Sequence, residues 1–148
     1  MNPKYMLDTN ICIYLMKHQP PEVRERFAQC FVGDVIISAV TLAELEFGIA
    51  CSSIAAQESN RSALESLLDD IKVAPFDAQA AKTYGPIRAA YKDRNRDALD
   101  KLIASHAVAL GVTLVTNCRI PDDHKDVLQT NEYAKRTSLS WPSLGFCS

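Results

Sequence analysis

The sequence predicts an α/β fold in which a parallel central sheet of four to five strands lies between two layers of helices. Short apolar segments, such as residues 35–37 and 112–115, alternate along the chain with longer segments of helical periodicity. Strands that alternate with helices pair in parallel, because each helix returns the chain to the starting edge of the sheet. The expected architecture is therefore a three-layer α/β/α sandwich.

Local signals set the expected boundaries of the elements. Pro20 and Pro21 introduce the second helix, Asp77 is placed to cap a later one, and Gly111 suits the end of the last helix. The predicted elements, in order, are a strand at 4–7, helices at 10–17 and 21–31, a strand at 35–37, helices at 41–50 and 58–71, a strand at 72–75, helices from the Asp77 cap to 92 and at 97–110, and a strand at 112–115.

Residues 1–117 form one predicted catalytic domain, and residues 118–148 form a divergent C-terminal tail. Beyond residue 117 the hydrophobic periodicity is weak, the charges are mixed, and Pro121 and Pro142 interrupt any regular element. We interpret this tail as a segment that replaces the last part of the fold.

The composition excludes several classes of protein. Sixteen basic and eighteen acidic side chains give a net charge of −2, so the chain does not bind nucleic acid by bulk positive charge. The five cysteines are scattered without a C-x-x-C pair, and no apolar run approaches the roughly 18–20 residues that span a bilayer. We therefore expect a cytoplasmic protein with free thiols and no membrane association.

Three acidic residues occupy comparable points along the alternating pattern. Asp8 follows an apolar strand and opens a helix, and Glu44 and Asp100 lie near the starts of later helices. In open α/β sheets ligands bind at the carboxyl edge of the sheet. Carboxylates brought together there repel one another unless a cation lies between them, and Mg²⁺ prefers oxygen ligands. The three acids thus predict a metal site suited to phosphodiester hydrolysis.

Each acid also has a simpler structural interpretation. Asp8 could cap the helix that follows it, and Thr41 with Glu44 matches a capping box. Asp100 borders the apolar stripe of its helix, so we expect it at the margin of the core. His106 lies on that stripe and is interpreted as a hydrogen-bonded core histidine. A capping role does not exclude a metal site, because a capping carboxylate lies at the same edge of the sheet.

Four segments of the chain resemble, in order, the motifs of PIN-domain toxins of the VapC type. They cover about four fifths of the chain up to residue 117 and imply a PIN-like fold. The segments are residues 6–14 (Met-Leu-Asp-Thr-Asn-Ile-Cys-Ile-Tyr), 37–48 (Ile-Ser-Ala-Val-Thr-Leu-Ala-Glu-Leu-Glu-Phe-Gly), 97–107 (Asp-Ala-Leu-Asp-Lys-Leu-Ile-Ala-Ser-His-Ala) and 114–117 (Leu-Val-Thr-Asn).

The resemblance implies a Mg²⁺- or Mn²⁺-dependent endoribonuclease, the toxin of a toxin–antitoxin pair with a VapB-type antitoxin as its partner. Relatives with this opening motif cut initiator tRNA, so tRNA is the expected substrate and inhibition of translation the expected effect. A homodimer is expected as well. The resemblance implies that Asp8, Glu44 and Asp100 form the catalytic metal site. It places three supporting residues beside that site: Asn10, Thr116 and Asn117.

The sequence departs from the family pattern after Asn117. Cys118 and Arg119 stand where relatives have a second asparagine and then an acid. Asp122 comes slightly late and is the nearest candidate for a fourth acidic ligand.

Two other functions compete with the nuclease. The altered C-terminus suggests a catalytically impaired PIN-fold protein that binds RNA or an antitoxin without cutting. A phosphoaspartate enzyme with Asp8 as its nucleophile is disfavoured, because such enzymes carry a second acid where this chain has Asn10.

Overall fold

The structure, a computed structural model, describes residues 2–19, 21–90 and 98–116. The predicted tail at 118–148 lies outside these residues, as do Asn117 and Asp122. The described elements alternate as predicted. They are β1 (Tyr5–Leu7), α1 (Thr9–Lys17), α2 (Pro21–Ala28), β2 (Val35–Ser38), α3 (Ala39–Cys51), α4 (Ile54–Asp70), β3 (Lys72–Ala74), α5 (Ala78–Ala90), α6 (Ala98–Leu110) and β4 (Thr113–Val115).

The described strands form one parallel sheet in the order β3-β2-β1-β4. Leu7 of β1 is in register with Ile37 of β2 on one side and with Val115 of β4 on the other. The residues that follow these three therefore lie side by side at the carboxyl edge of the sheet. The prediction of a parallel central sheet is confirmed, with four strands among the described residues.

The two faces of the sheet bury different helices, because successive side chains of a strand point to opposite faces. Met6 and Ile36 pack with Ile103 and Ala107 of α6. On the other face, Leu7 and its neighbours pack against residues of the first four helices. Helices thus cover both faces, which confirms the three-layer sandwich. The buried residues on this second face are Leu7, Ile11, Cys12, Leu15, Val23, Val35, Ile37, Leu45, Ile49, Leu64, Leu67, Ile71 and Val115.

Helix α3 begins two residues earlier than predicted, and the capping box at Thr41 is wrong. Ser38 is the N-cap, and its Oγ accepts a hydrogen bond from the Val40 N–H at 3.1 Å. Thr41 lies inside the helix and is fully buried. Both Ser38 and Thr41 are residue types that cap helices, and the tertiary position at the end of β2 selects the first. Glu44 is consequently not a capping residue.

Other helix ends agree in part with the prediction. Asp77 caps α5 as expected, since its Oδ1 accepts the Ala80 N–H at 3.0 Å. Helix α4 begins four residues earlier than predicted, at Ile54, because Ser53 caps it through the Ala56 N–H. Helix α2 ends at Ala28 rather than at residue 31.

The described part of the chain fits the expected thiol chemistry. Cys12, Cys30 and Cys51 are free cysteines. None of the helices within the described ranges is long and apolar enough to cross a membrane.

Candidate functional site

Asp8 stands at the carboxyl end of the central strand β1 and caps helix α1. Its backbone N–H continues the strand pairing by donating to the Val115 carbonyl at 3.0 Å. Its side chain is only 9% exposed, and Oδ1 accepts the Ile11 N–H at 3.0 Å. Oδ2 accepts a hydrogen bond from the Thr116 hydroxyl. The capping interpretation is therefore confirmed, and the carboxylate is held in one orientation by two donors.

Glu44 reaches the same edge of the sheet from helix α3. Its Oε1 accepts a hydrogen bond from the Thr9 hydroxyl at 2.8 Å, and its side chain is half-buried. Thr9 is the residue directly after Asp8 and the first of α1. The fold thus brings Glu44, which is far from Asp8 in sequence, into contact with the residue that directly follows Asp8.

Asp100 lies in the first turn of α6 and is exposed. The expectation that it borders the core is wrong, because the buried part of α6 begins one turn later, at Ile103. The three residues from Asp100 to Ile103 correspond to about 4.5 Å along the helix axis. Helix α6 runs antiparallel to β4, which follows it, so its first turn points toward the carboxyl ends of the strands. Asp100 therefore lies toward the same edge of the sheet as Asp8, the edge formed by the carboxyl ends of the strands.

The supporting residues predicted from the sequence have different outcomes in the structure. Thr116 contacts Asp8 directly, whereas Asn10 is exposed at the start of α1. Asn117 and Asp122 fall outside the described residues. Their roles stay predictions, as does the assignment of Asp8, Glu44 and Asp100 as metal ligands.

Thr9 is a site residue that the sequence did not reveal as one. Its partner Glu44 is 35 residues away, so no local spacing signals the contact. The available sequence signal for Thr9 is its place directly after the strand-end acid. Every Asp-Thr pair that opens a helix has this feature, so it does not identify a functional residue.

A buried polar contact lies directly below this edge. His106 of α6 is 1% exposed, and its Nδ1 is 2.8 Å from the Oγ of the fully buried Ser38. The Phe76 ring meets the imidazole edge-on at 5.3 Å between centroids. Burial lowers the pKa of His106, opposed by the charge of Asp77 and by a hydrogen bond with the Pro75 backbone. The interpretation of His106 as a hydrogen-bonded core histidine is confirmed.

Burial also suppresses the reactivity of Cys12, a thiol that lies close to Asp8. Cys12 is fully buried in α1, one turn after Asp8. Desolvation raises the pKa of the Cys12 thiol far above its ordinary value, and the charge of Asp8 adds to the shift. Because the thiolate is the reactive form of cysteine, this burial disfavours Cys12 as a nucleophile.

The donor set at the sheet edge suits a hard divalent cation in its chemistry. Asp8, Glu44 and Asp100 offer only carboxylate oxygens, which Mg²⁺ and Mn²⁺ prefer. Each carboxylate oxygen can accept more than one interaction, so the hydrogen bonds to Asp8 do not consume its capacity. Between residues 2 and 116, apart from the gaps in the description, no three acidic, histidine or cysteine side chains form a ready-made metal group.

Known proteins match the part of the chain that contains all three acids. The PIN domain family matches residues 5–117, a range that contains Asp8, Glu44 and Asp100. The tRNA(fMet)-specific endonuclease VapC of Shigella flexneri is 42% identical over 116 residues, which cover 77% of this chain and 86% of that relative. The crystal structure of DNA-bound VapBC from Salmonella typhimurium matches with a TM-score of 0.71 at 39% identity, over 80% of this chain and 93% of that one. VapBC2 from Rickettsia felis, bound to a promoter DNA fragment, matches with a TM-score of 0.67 at 34% identity, over 77% and 86%.

Proposed function

The chain belongs to the PIN-domain family, in its VapC branch, and on that premise we propose that it is a metal-dependent endoribonuclease and the toxin of a toxin–antitoxin pair. The observation that carries the proposal is the pair of carboxylates at the carboxyl edge of the sheet, Asp8 and Glu44, each of which accepts a hydrogen bond from a threonine hydroxyl. A buried carboxylate such as that of Asp8 is costly to keep in a fold, and such groups are frequent at functional sites.

In the proposed site, Asp8, Glu44 and Asp100 hold Mg²⁺ or Mn²⁺. When bound, such a cation lowers the pKa of water and offsets negative charge on the phosphate. Thr116 keeps Oδ2 of Asp8 oriented, and Thr9 does the same for Oε1 of Glu44. Preorganised groups of this kind cost no reorganisation when the reaction occurs. Hydrolysis by water attack in line would leave 5′-phosphate and 3′-hydroxyl ends.

The proposed substrate is tRNA, and initiator tRNA in particular. Support comes from the relative of Shigella flexneri, whose name specifies tRNA(fMet) and which is 42% identical to this chain. A nuclease that removes tRNA would inhibit translation. The net charge of −2 gives no general attraction to RNA, so substrate recognition would depend on local contacts and on the cation.

The proposed partner is a VapB-type antitoxin. Two of the similar structures are VapBC assemblies, at 39% and 34% identity. Co-expression of this chain with a VapB-type antitoxin, followed by co-purification, tests the pairing. A homodimer remains a prediction, for which light scattering of the purified chain is the measurement.

The decisive experiment is cleavage of purified initiator tRNA by the purified chain, with Mg²⁺ or Mn²⁺ and with EDTA. We expect cleavage that EDTA stops and that Asp8→Asn abolishes. An elongator tRNA serves as the substrate control, and Asp69→Asn, an exposed acid on α4, as the protein control. Cleavage that survives chelation or persists in Asp8→Asn would contradict the mechanism.

One observation favours a second candidate, a PIN-fold protein that binds RNA or an antitoxin without cutting. The described side chains do not form a ready-made group of three metal ligands. If this candidate is right, the chain binds tRNA in a filter or gel-shift assay and leaves it intact in both cations. Turnover by the full 148-residue chain would eliminate it.

A further inference from the structure

The contact between His106 and Ser38 joins the two helices that carry the exposed and half-buried acids of the site. Ser38 ends β2 and caps α3, the helix of Glu44. His106 belongs to α6, the helix of Asp100. Their side chains meet at 2.8 Å across 68 residues of sequence, and neither side chain is more than 1% exposed.

The hydrogen bond can form with either neutral tautomer of His106. Ser38 Oγ accepts the Val40 N–H and keeps both its own proton and a second lone pair. It can therefore donate to an unprotonated Nδ1 or accept from a protonated one. Ser38 therefore serves two structural purposes at once: it caps α3, and it ties that cap to α6.

The Ser38–His106 hydrogen bond is a directional contact between α3 and α6. Apolar packing between the same helices includes Val40 of α3, which lies against the cluster that contains Ile103 and Ala107 of α6. Apolar packing is non-directional, whereas a hydrogen bond weakens steeply with misalignment. The buried Ser38–His106 hydrogen bond is thus well placed to define how α3 and α6 are oriented with respect to each other.

Both acids are sensitive to this orientation because each lies well away from the Ser38–His106 hydrogen bond along its own helix. Glu44 follows Ser38 by six residues and Asp100 precedes His106 by six, or about 9 Å along each helix axis at 1.5 Å per residue. A tilt of about 10° at the tie would then move either carboxylate by about 1.6 Å, and misplacements near 1 Å can cost about 10²-fold in rate.

We propose that His106 is a positioning residue, which through its hydrogen bond to Ser38 fixes the start of α6 and Asp100 against the start of α3 and Glu44. The inference rests on the proposed function for its consequence in catalysis. It assigns a task to a buried histidine that does not itself touch the substrate edge.

The test compares two substitutions of one residue. His106→Leu removes the hydrogen bond, whereas His106→Asn retains a polar atom near the position of Nδ1. For His106→Leu we expect kcat on initiator tRNA to fall about 10- to 100-fold with KM within about twofold. Mn²⁺ affinity, measured by calorimetry without RNA, should fall about tenfold or more. His106→Asn should recover both quantities to within about threefold of the unmodified chain.

A control separates positioning from loss of stability. Leu64→Ala removes a buried side chain from the other face of the sheet, so it destabilises the fold without touching α6. Assayed well below the lowest unfolding midpoint, it should keep kcat within about twofold of the unmodified chain. The Ser38→Ala and His106→Leu double variant should lose no more activity than the worse single variant, because both remove one interaction.

Amide hydrogen exchange of Val40 tests the Ser38–His106 hydrogen bond whether or not the chain cuts RNA. His106→Leu should speed this exchange more than Leu64→Ala does, since the Val40 N–H donates to Ser38. If the unmodified chain does not cut RNA, the proposed function is contradicted. The exchange rate of the Val40 amide would still show whether the Ser38–His106 hydrogen bond stabilises the start of α3. The positioning role is overturned by unchanged Val40 exchange, by equal losses in the Asn and Leu variants, or by an active His106→Leu variant with normal Mn²⁺ affinity.

Discussion

The carboxylates of the proposed site come from two regions that are built differently. Asp8 is buried at the end of a central strand, and two donors fix its oxygens. Asp100 is exposed at the start of a helix on the outer layer. The position of Asp8 follows from the sheet itself, whereas that of Asp100 depends on how α6 is docked. A site assembled in this way has a rigid half and an adjustable half.

The largest expected effect contrasts the two acids directly. Asp8→Asn and Asp100→Asn should each lower RNA cleavage by at least about 10²-fold. Asp8→Asn should also lower the free energy of unfolding by about 1–3 kcal/mol, because a buried donor loses its acceptor. Asp100→Asn should change it by less than about 1 kcal/mol, as charges in an exposed first turn contribute little.

Urea unfolding and tRNA cleavage, measured on the same preparations, provide the check. Asp69→Asn controls for the removal of an exposed carboxylate elsewhere. A larger loss of stability in Asp100→Asn than in Asp8→Asn would remove the distinction between a rigid and an adjustable half.

The next effect tests whether the hydroxyls make the strand-end half rigid. Thr9→Val and Thr116→Val each delete a donor to a site carboxylate while keeping the side-chain shape. Each should lower kcat about tenfold and the free energy of unfolding by about 1 kcal/mol.

Thr41→Val is the matched control for these two variants. Its hydroxyl is buried, and within the described residues it has no hydrogen-bond partner. Replacing it should leave cleavage unchanged and leave stability unchanged or slightly increased, since an unsatisfied buried hydroxyl is removed. If Thr41→Val were as damaging as Thr9→Val, the effect would reflect general sensitivity of the core rather than orientation of the acids.

A smaller effect concerns the pH dependence of stability. The pKa of His106 is lowered in the folded state, mainly by burial, so the folded chain binds fewer protons than the unfolded chain. Stability should therefore be unaffected above the unfolded pKa of about 6.5 and should decrease as the pH falls below it. Thermal unfolding between pH 7.5 and 5.5, in steps of roughly half a unit, should show a shallower decline for His106→Asn. Equal slopes for both proteins would contradict the assignment.

The smallest effect lies at the other end of the helix that Asp8 caps. His18 ends α1 with a positive φ of 55°, a conformation that glycine adopts without strain. His18→Gly should raise the free energy of unfolding by roughly 0.5–1 kcal/mol and leave cleavage unchanged. A change in kcat would show that α1 transmits strain from its C-terminus to the site.

The sequence predicted the parts of this fold that depend on periodicity. The alternation of strands and helices, and the strand-end positions of Asp8 and Thr116, followed from apolar spacing and turn signals. Helix α4 was predicted too short because Ile54, which is 89% exposed, does not belong to the buried face that the periodicity detects. Such a residue extends the helix through its cap and not through packing.

Contacts over long sequence separations could not be predicted from local patterns. Ser38 and Thr41 are both residue types that cap helices, and the end of β2 decides between them. The Thr9–Glu44 bond pairs a helix start with a residue of another helix, and only the sheet order brings them together. The same holds for Asp100, whose exposure reflects the length of α6 relative to the three-residue strand β4.

The pairing of β1 with β4 has a consequence for synthesis of the chain. β1 is made first, yet it lies between β2 and β4, and the hydroxyl that orients Asp8 arrives 108 residues later. Chains emerge from the ribosome N-terminus first, and non-local strand pairing is slow. A nascent chain therefore carries Asp8 without its final arrangement until β4 has left the exit tunnel of the ribosome. The proposed site is completed only after most of the chain has been released from the tunnel.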